Sequence, residues 1–282
     1  MLAYQHAYHA GNFADVHKHL TLFAVTRHLL RKESPVTYID THAGRGLYPL
    51  DGVETQKLKE YQNGVVPLWS ARERLRDGDE LLSGWLTALE RCQKGRSRLE
   101  RYPGSPWWLA EALRPQDRLS LFELHPGEYR HLEEGDLPNA RRIHGDGLAG
   151  LTRLLPVATP RLCVLIDPSY ERKAEYLEVA ETLQKVVRKA RHAVVVIWYP
   201  LLPAGRHETL LERLRDAGIR KLWRSEIRLS DGTDATHGMQ GSGVVILNPP
   251  WGLGDELDAS LARLVPLWGG SARHRAGWWV GE

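Results

Sequence analysis

Short apolar, β-branched runs recur along this chain, and most are followed by a stretch patterned for a helix. Residues 36–40, 119–124, 162–167 and 193–199 read as strands, with a shorter run at 141–144. Residues 14–33 read as an amphipathic helix, with Ala14, Val16, Leu20, Phe23, Ala24 and Leu30 near one face. Further helical patterns cover a segment near 128–134, then 174–190 and 205–217. Strands alternating with helices specify a parallel, doubly wound α/β sheet with helices on both faces. A strand at 221–229, a last clear strand at 244–247 and a helical tail at 255–264 complete the reading.

Residues 52–101 carry no strand signal and read as polar, charged helices at 57–60, 67–75 and 80–92. The expected organisation is therefore a sheet domain made of 1–51 and 102–282, with 52–101 as an inserted helical subdomain. A chain of 282 residues suits that arrangement. Cys92 and Cys163 form no disulfide framework and have no metal-ligand spacing, so a reducing, cytoplasmic setting is expected. The first residues have no apolar core of a signal peptide, and no run is long enough to span a membrane. The net charge of +3 is compatible with a polyanionic partner.

In open α/β sheets, ligands lie beyond the carboxyl ends of the strands, where strand order reverses. Four signals follow successive strands here. After the first comes Gly44-Arg45-Gly46, which suits close approach to a ligand and equally a tight strand-to-helix turn. The second ends in Glu123, whose carboxylate can accept from both hydroxyls of a ribose. The third is followed by Gly145-Asp146-Gly147, where the acid can accept from an adenine amine. The fourth ends in Asp167-Pro168-Ser169-Tyr170. This is the order used by Rossmann-like methyltransferases.

The tetrapeptide resembles the (Asp/Asn/Ser)-Pro-Pro-(Tyr/Phe/Trp) motif of amino-group methyltransferases. The 6-amino group of adenine is a poor nucleophile because its lone pair is delocalised into the ring. A carboxylate (Asp167) and a backbone carbonyl (Pro168) can each accept one amine hydrogen and free the lone pair for a methyl electrophile. Tyr170 is expected to stack on a base that has left its helix. Ser169 stands where the second proline is usual, which removes a restraint on Pro168 but keeps its carbonyl. The same four residues would also suit a plain turn after a buried strand.

Asn248-Pro249-Pro250-Trp251 matches the motif more closely, but it follows the last strand, in an antiparallel pair away from the cleft. It is expected to be a strand-terminating turn with Trp251 as a packing anchor.

Longer blocks carry a more specific resemblance. They are Tyr4 and His6, His9-Ala10-Gly11-Asn12, Ala14-Asp15, Lys18-His19, Asp40-Thr41-His42-Ala43-Gly44, Tyr102-Pro103-Gly104-Ser105-Pro106, Glu123-Leu124-His125-Pro126, Trp198-Tyr199-Pro200 and Asn248-Pro249-Pro250-Trp251. With these blocks the chain resembles the 23S ribosomal RNA adenine-N(6) methyltransferase family of the RlmJ type over essentially its whole length. The resemblance implies a class I, S-adenosylmethionine-dependent methyltransferase fold and one adenine of 23S ribosomal RNA as acceptor, in RNA free of protein or early in assembly. Carried over by position, it implies His19, His42, Ser105, Glu123, Asp146, Gly147 and Asp167 as cofactor residues. It implies Asp167 as proton acceptor beside Pro168, and Tyr4, His6 and Tyr170 on the substrate side. It implies no membrane and no obligate protein partner.

His6, His9, His17 and His19 with Asp15 have no fixed metal-ligand spacing, so no metal is expected. A glycine-containing N-terminal lid over the cofactor fits better. Arg91, Lys94, Arg96, Arg98 and Arg101 suit phosphate contacts or a solvated surface equally. An adenine methyltransferase acting on DNA, and an RNA-binding factor that has lost catalysis, remain as alternatives. Nothing in the residues themselves reads a 2′-hydroxyl.

Overall fold

The computed structural model describes residues 4–229 and 238–282. Helix α1 (Phe13–Leu30) begins at Asn12, whose side chain accepts from Asp15 N at 2.8 Å. The helix is not amphipathic as expected. Nearly every side chain on it is buried, His17, Lys18 and His19 included, because it lies between the sheet and other helices. Strand β1 (Val36–Asp40) follows, and β2 (Leu47–Pro49) leaves the sheet. Helices α2 (Val53–Leu58), α3 (Val65–Ser70), α4 (Arg72–Arg76) and α5 (Glu80–Cys92) come next. Strand β3 (Arg101–Pro103) then pairs with β2, closing that excursion, and α6 (Ser105–Glu111) returns the chain to the sheet.

The remaining units alternate. They are β4 (Arg118–Glu123), α7 (Pro126–Glu134), β5 (Ala140–His144), α8 (Gly147–Leu154), β6 (Arg161–Ile166), α9 (Glu175–Lys189), β7 (Val194–Leu201) and α10 (His207–Asp216). The chain closes with β8 (Leu222–Arg228), β9 (Gly241–Leu247), α11 (Leu253–Leu264) and β10 (Arg273–Val280).

The main sheet has the order β10-β8-β9-β7-β6-β1-β4-β5. Strands β5, β4, β1, β6 and β7 are parallel, whereas β9, β8 and β10 pair antiparallel. The chain moves outward from β1 through β4 to β5, then returns to β6 on the other side of β1. That reversal opens a crevice beyond the carboxyl ends of β1, β4 and β6, and makes the fold Rossmann-like.

Strand β6 explains why the parallel strands read as continuous apolar runs. Cys163 and Leu165 face the layer holding α1, α5 and α11, while Leu162, Val164 and Ile166 face the layer of α8, α9 and α10. Its register against β1 pairs Leu165 with Asp40, so both strands end at the same height.

Two expectations are corrected here. The last strand is β10, not 244–247. As a largely exposed sheet edge carrying Arg273, Arg275 and Gly277, it has no apolar run to reveal it. Trp251 is not a packing anchor, since it is 94% exposed. The left-handed Gly252 turns the chain into α11, and Leu253 makes the buried contact instead.

Candidate active site

Beyond the carboxyl ends of β1, β4, β6 and β7 lies a cavity of about 550 Å³, within the usual range for small-molecule sites. Its centre is Asp167, the first residue past β6. The Lys18 ammonium, buried on α1, lies 2.6 Å from Asp167 Oδ2 and 3.0 Å from Asp15 Oδ1. Burial alone would discharge Lys18, but the two carboxylates outweigh it and hold its pKa above the usual lysine value. Burial raises the pKa of Asp167 above the usual carboxylate range, with Lys18 pulling it back. Burial likewise pushes Asp15 up, but His6 and Lys18 outweigh it and hold Asp15 well below that range.

The N-terminal residues continue this network. His6 Nε2 lies 2.9 Å from Asp15 Oδ2, and Tyr4 Oη lies 2.9 Å from His6 Nδ1. A connected path therefore runs Tyr4–His6–Asp15–Lys18–Asp167 along the cavity wall. The other N-terminal histidines have partners outside this path. His9 meets Glu60 at 2.9 Å, His19 Nδ1 meets the Tyr102 hydroxyl at 2.9 Å, and His17 meets Ser225 and Ser242. Among the described residues, no group of three or more His, Cys, Asp or Glu could hold a metal ion.

The other half of the cavity is built on β4 and α8. Glu123 Oε2 accepts from Gly44 N at 2.8 Å and Oε1 from His125 N at 2.7 Å, which fixes the carboxylate and leaves lone pairs for other donors. Gly44 takes φ +62°, and a Cβ there would stand 2.2 Å from the Tyr48 hydroxyl. Asp146 caps α8 through Oδ1, which accepts from Ala149 N at 3.0 Å, and leaves Oδ2 available. Gly147 is required by packing, since a Cβ would stand 1.9 Å from Thr41 O. Burial pushes His42 down to about 4, so it is neutral near pH 7. Leu124 and Leu148 add apolar wall between these polar groups.

Asp167, Pro168, Glu123, Asp146, Gly147, His19, His42, Ser105, Tyr4 and His6 all line this cavity. Tyr170 is the exception and corrects the expectation of a stacking ring. It is 4% exposed and lies outside the wall, with φ +54°. Its ring packs on Tyr176 at 4.4 Å between centroids, and its hydroxyl donates to Trp198 O at 2.8 Å. The aromatic side chain in the wall near Asp167 is Trp198, with Lys18 Nζ 5.6 Å from its ring centroid.

Lys18 and Asp40 were given no role by sequence. A lysine inside an otherwise buried helix is itself a signal, because it needs a buried partner. Asp40 ends β1, fully buried, with Oδ1 accepting from His42 N at 3.1 Å and the Ser105 side chain beside the carboxylate. Burial lifts its pKa to about 7. Of the basic cluster at 91–101, Arg91 pairs with Glu111 and Arg96 with Glu100. The closer motif match, Asn248, donates from Nδ2 to Arg191 O and Ala193 O at 2.9 Å, at the amino end of β7. It is therefore on the opposite edge of the sheet from the cavity.

A family model described as "Ribosomal RNA large subunit methyltransferase D, RlmJ" matches residues 33–280. The Haemophilus influenzae protein named "Ribosomal RNA large subunit methyltransferase J" is 35% identical over 267 residues, covering 94% of this chain and 93% of that one. The Escherichia coli protein of the same name is 32% identical over 288 residues and covers both chains in full. The crystal structure of a Legionella pneumophila protein superposes with a TM-score of 0.87 at 36% identity, covering 96% of this chain and 98% of the other.

Proposed function

The chain belongs to the ribosomal RNA large subunit methyltransferase family described for RlmJ, and on that premise we propose that it methylates the exocyclic 6-amino group of an adenine in 23S ribosomal RNA, with S-adenosylmethionine as donor. The observation that carries this reading is the carboxylate of Asp167 beside Pro168 at the carboxyl end of β6, with one oxygen held by Lys18 and the other left for a donor.

The residues of the cavity fit the donor. Glu123 presents acceptor lone pairs suited to a ribose diol, Asp146 Oδ2 suits an adenine amine, and Leu124 and Leu148 suit the faces of a purine. Neutral His42, Ser105 and the backbone at Gly147 complete the wall. When bound there, the donor supplies an electrophilic methyl group.

The chain's own residues act on the amine. Asp167 Oδ1 and the Pro168 carbonyl each accept one amine hydrogen, so the nitrogen becomes tetrahedral and its lone pair leaves conjugation with the ring and points at the methyl. Lys18 opposes the effect of burial on Asp167, favouring its ionised form, and fixes its orientation. After the nitrogen has gained a methyl, it loses a proton through Asp167 to water. His6 and Asp15 keep Lys18 in register, and Tyr4 extends the network over the substrate side. The N-terminal residues then act as a lid that excludes water, and helices α2 to α5 form a subdomain beside the RNA.

Transfer of tritiated methyl groups tests the reading. Incorporation is expected into 23S ribosomal RNA stripped of ribosomal proteins and not into duplex DNA of matching sequence. Preferential labelling of the DNA would reassign the substrate.

A further inference from the structure

Behind the cavity wall, polar side chains from six elements join in a buried row. Trp198 Nε1 donates to Ser242 Oγ at 3.0 Å, and Ser242 Oγ lies 2.9 Å from His17 Nδ1. His17 Nε2 lies 2.9 Å from Ser225 Oγ, which lies 2.8 Å from His274 Nε2. His274 Nδ1 ends the row 3.0 Å from Asp258 Oδ1. His17, Ser225 and Ser242 are fully buried, while Asp258 reaches solvent.

The chemistry of the carboxylate end gives the row one direction, and the indole end is compatible with it. An indole N–H can only donate, and an ionised carboxylate can only accept. Burial lowers the pKa of both rings, His17 to about 3, so both are neutral and each carries one proton. From Asp258, His274 must donate through Nδ1 and accept from Ser225 through Nε2. Ser225 then accepts from His17 Nε2–H, and His17 Nδ1 accepts from Ser242. Trp198 Nε1–H donating to Ser242 is compatible with these directions, because the hydroxyl oxygen can accept while its O–H donates to His17. Every donor finds an acceptor, and neither ring can change tautomer without breaking the row.

The row fixes two things that matter at the cavity. It ties the indole of Trp198 on β7 to α1, one residue from Lys18. It also ties α1 to β8, β9, β10 and α11. Lys18 Nζ lies over the indole, 5.6 Å from its centroid and 2.6 Å from Asp167, and Trp198 and Asp167 both line the cavity, so a flat ring lying on the part of the indole that faces the cavity would have its edge groups near the carboxylate. Tyr170 cannot offer such a face, since it is buried against Tyr176 and donates to the Trp198 carbonyl.

We propose that Trp198 is the surface on which the target base rests, and that the row through Ser242, His17, Ser225 and His274 to Asp258 is a positioning device that holds its indole and α1 in register. This rests on the reading of a nucleobase as substrate. Trp198 is the contacting residue, whereas His17 and Ser242 act through it.

The test uses an RNA hairpin with adenine, or fluorescent 2-aminopurine, at the target position. Trp198→Leu should raise the RNA KM about tenfold or more, the range for losing one aromatic stacking partner, and Trp198→Phe should lose less. The quenching of 2-aminopurine seen with the wild type should disappear in Trp198→Leu, while donor affinity stays unchanged. His17→Leu should raise the RNA KM with a smaller change in kcat. His17→Gln, which can still accept and donate, should restore it. Ser242→Ala provides a second break in the row if His17→Leu does not fold. A methylating wild type matched in KM and quenching by Trp198→Leu would overturn the inference alone. Folded His17→Leu or Ser242→Ala with unchanged KM would overturn the positioning role. A wild type that methylates no RNA would overturn the functional reading beneath both.

Discussion

Two proline-containing turns in this chain resemble the same motif and lie at opposite ends of the strands of one sheet. Asp167-Pro168-Ser169-Tyr170 follows β6, which runs parallel to β7, and its first three residues enter the cavity. Asn248-Pro249-Pro250-Trp251 follows β9, which runs antiparallel to β7, and so ends at the amino edge of the parallel strands. Both place a side chain in the left-handed region, Tyr170 at φ +54° and Asn248 at φ +50°. The turn with the better motif match spends its amide on the carbonyls of Arg191 and Ala193 and leaves its tryptophan in solvent. The poorer match faces a buried cation and an acid-lined cavity. What distinguishes them is the direction of the preceding strand.

The strongest way to break this comparison is to delete the first residue of each turn. Asp167→Ala should lower methyl transfer about 10²- to 10⁴-fold, the usual contribution of a positioned base, while still binding the donor. Asn248→Ala should leave turnover unchanged and lower stability by about 1 kcal/mol through lost hydrogen bonds, as read by thermal unfolding. An inactive Asn248→Ala beside an active Asp167→Ala would exchange their roles.

Removing the cation that only one turn possesses sharpens the contrast. Lys18→Met leaves Asp15 and Asp167 buried without their shared partner, a loss of about 3–5 kcal/mol for broken buried pairs. Burial already holds the folded-state pKa of Asp167 above its unfolded value, and without Lys18 it rises further. The variant is then least stable at alkaline pH and recovers as pH falls, when the carboxyls protonate. Activity follows the carboxylate of Asp167, which is present above its pKa. Its acid limb should therefore move to higher pH in Lys18→Gln than in wild type, since the cation opposes the effect of burial. A limb that stays in place would separate Lys18 from Asp167 in function.

Glu123→Ala acts on the neighbouring strand end and should weaken S-adenosylmethionine by about 1–3 kcal/mol in calorimetry. Unchanged affinity would move the ribose contacts elsewhere. The smallest effect is expected from Ser169→Pro, which makes the first turn more like the second. Because proline restricts Pro168 to the extended region, turnover should be kept or raised modestly. A large loss would mean that Ser169 contributes its hydroxyl or N–H, which proline cannot supply.

The parts of the fold that could be read from the sequence are those whose physics is local. β6 and β7 are buried on both faces and so read as unbroken apolar runs. β10 is an exposed edge whose partner β8 determines its conformation, and α8 hides behind two glycines, one demanded by Thr41 O and one by the ring of Phe122. At the site, the acids at strand ends were legible because strand ends converge in this topology. Lys18 was not singled out, because its partner Asp167 is 149 residues away. Tyr170 was misread because a motif gives residue types without backbone direction. Its left-handed φ turns the ring into the core.

The central claim is that Asp167 and Pro168 at the end of β6 activate an exocyclic amine. The most direct measurement is mass spectrometry of the nucleosides released from 23S ribosomal RNA after incubation with donor and either wild-type protein or Asp167→Ala. The account predicts 6-methyladenosine from the wild type and about 10²-fold less or lower still from the variant. Methylation at a ring carbon or a ribose oxygen, or equal 6-methyladenosine from Asp167→Ala, would contradict it.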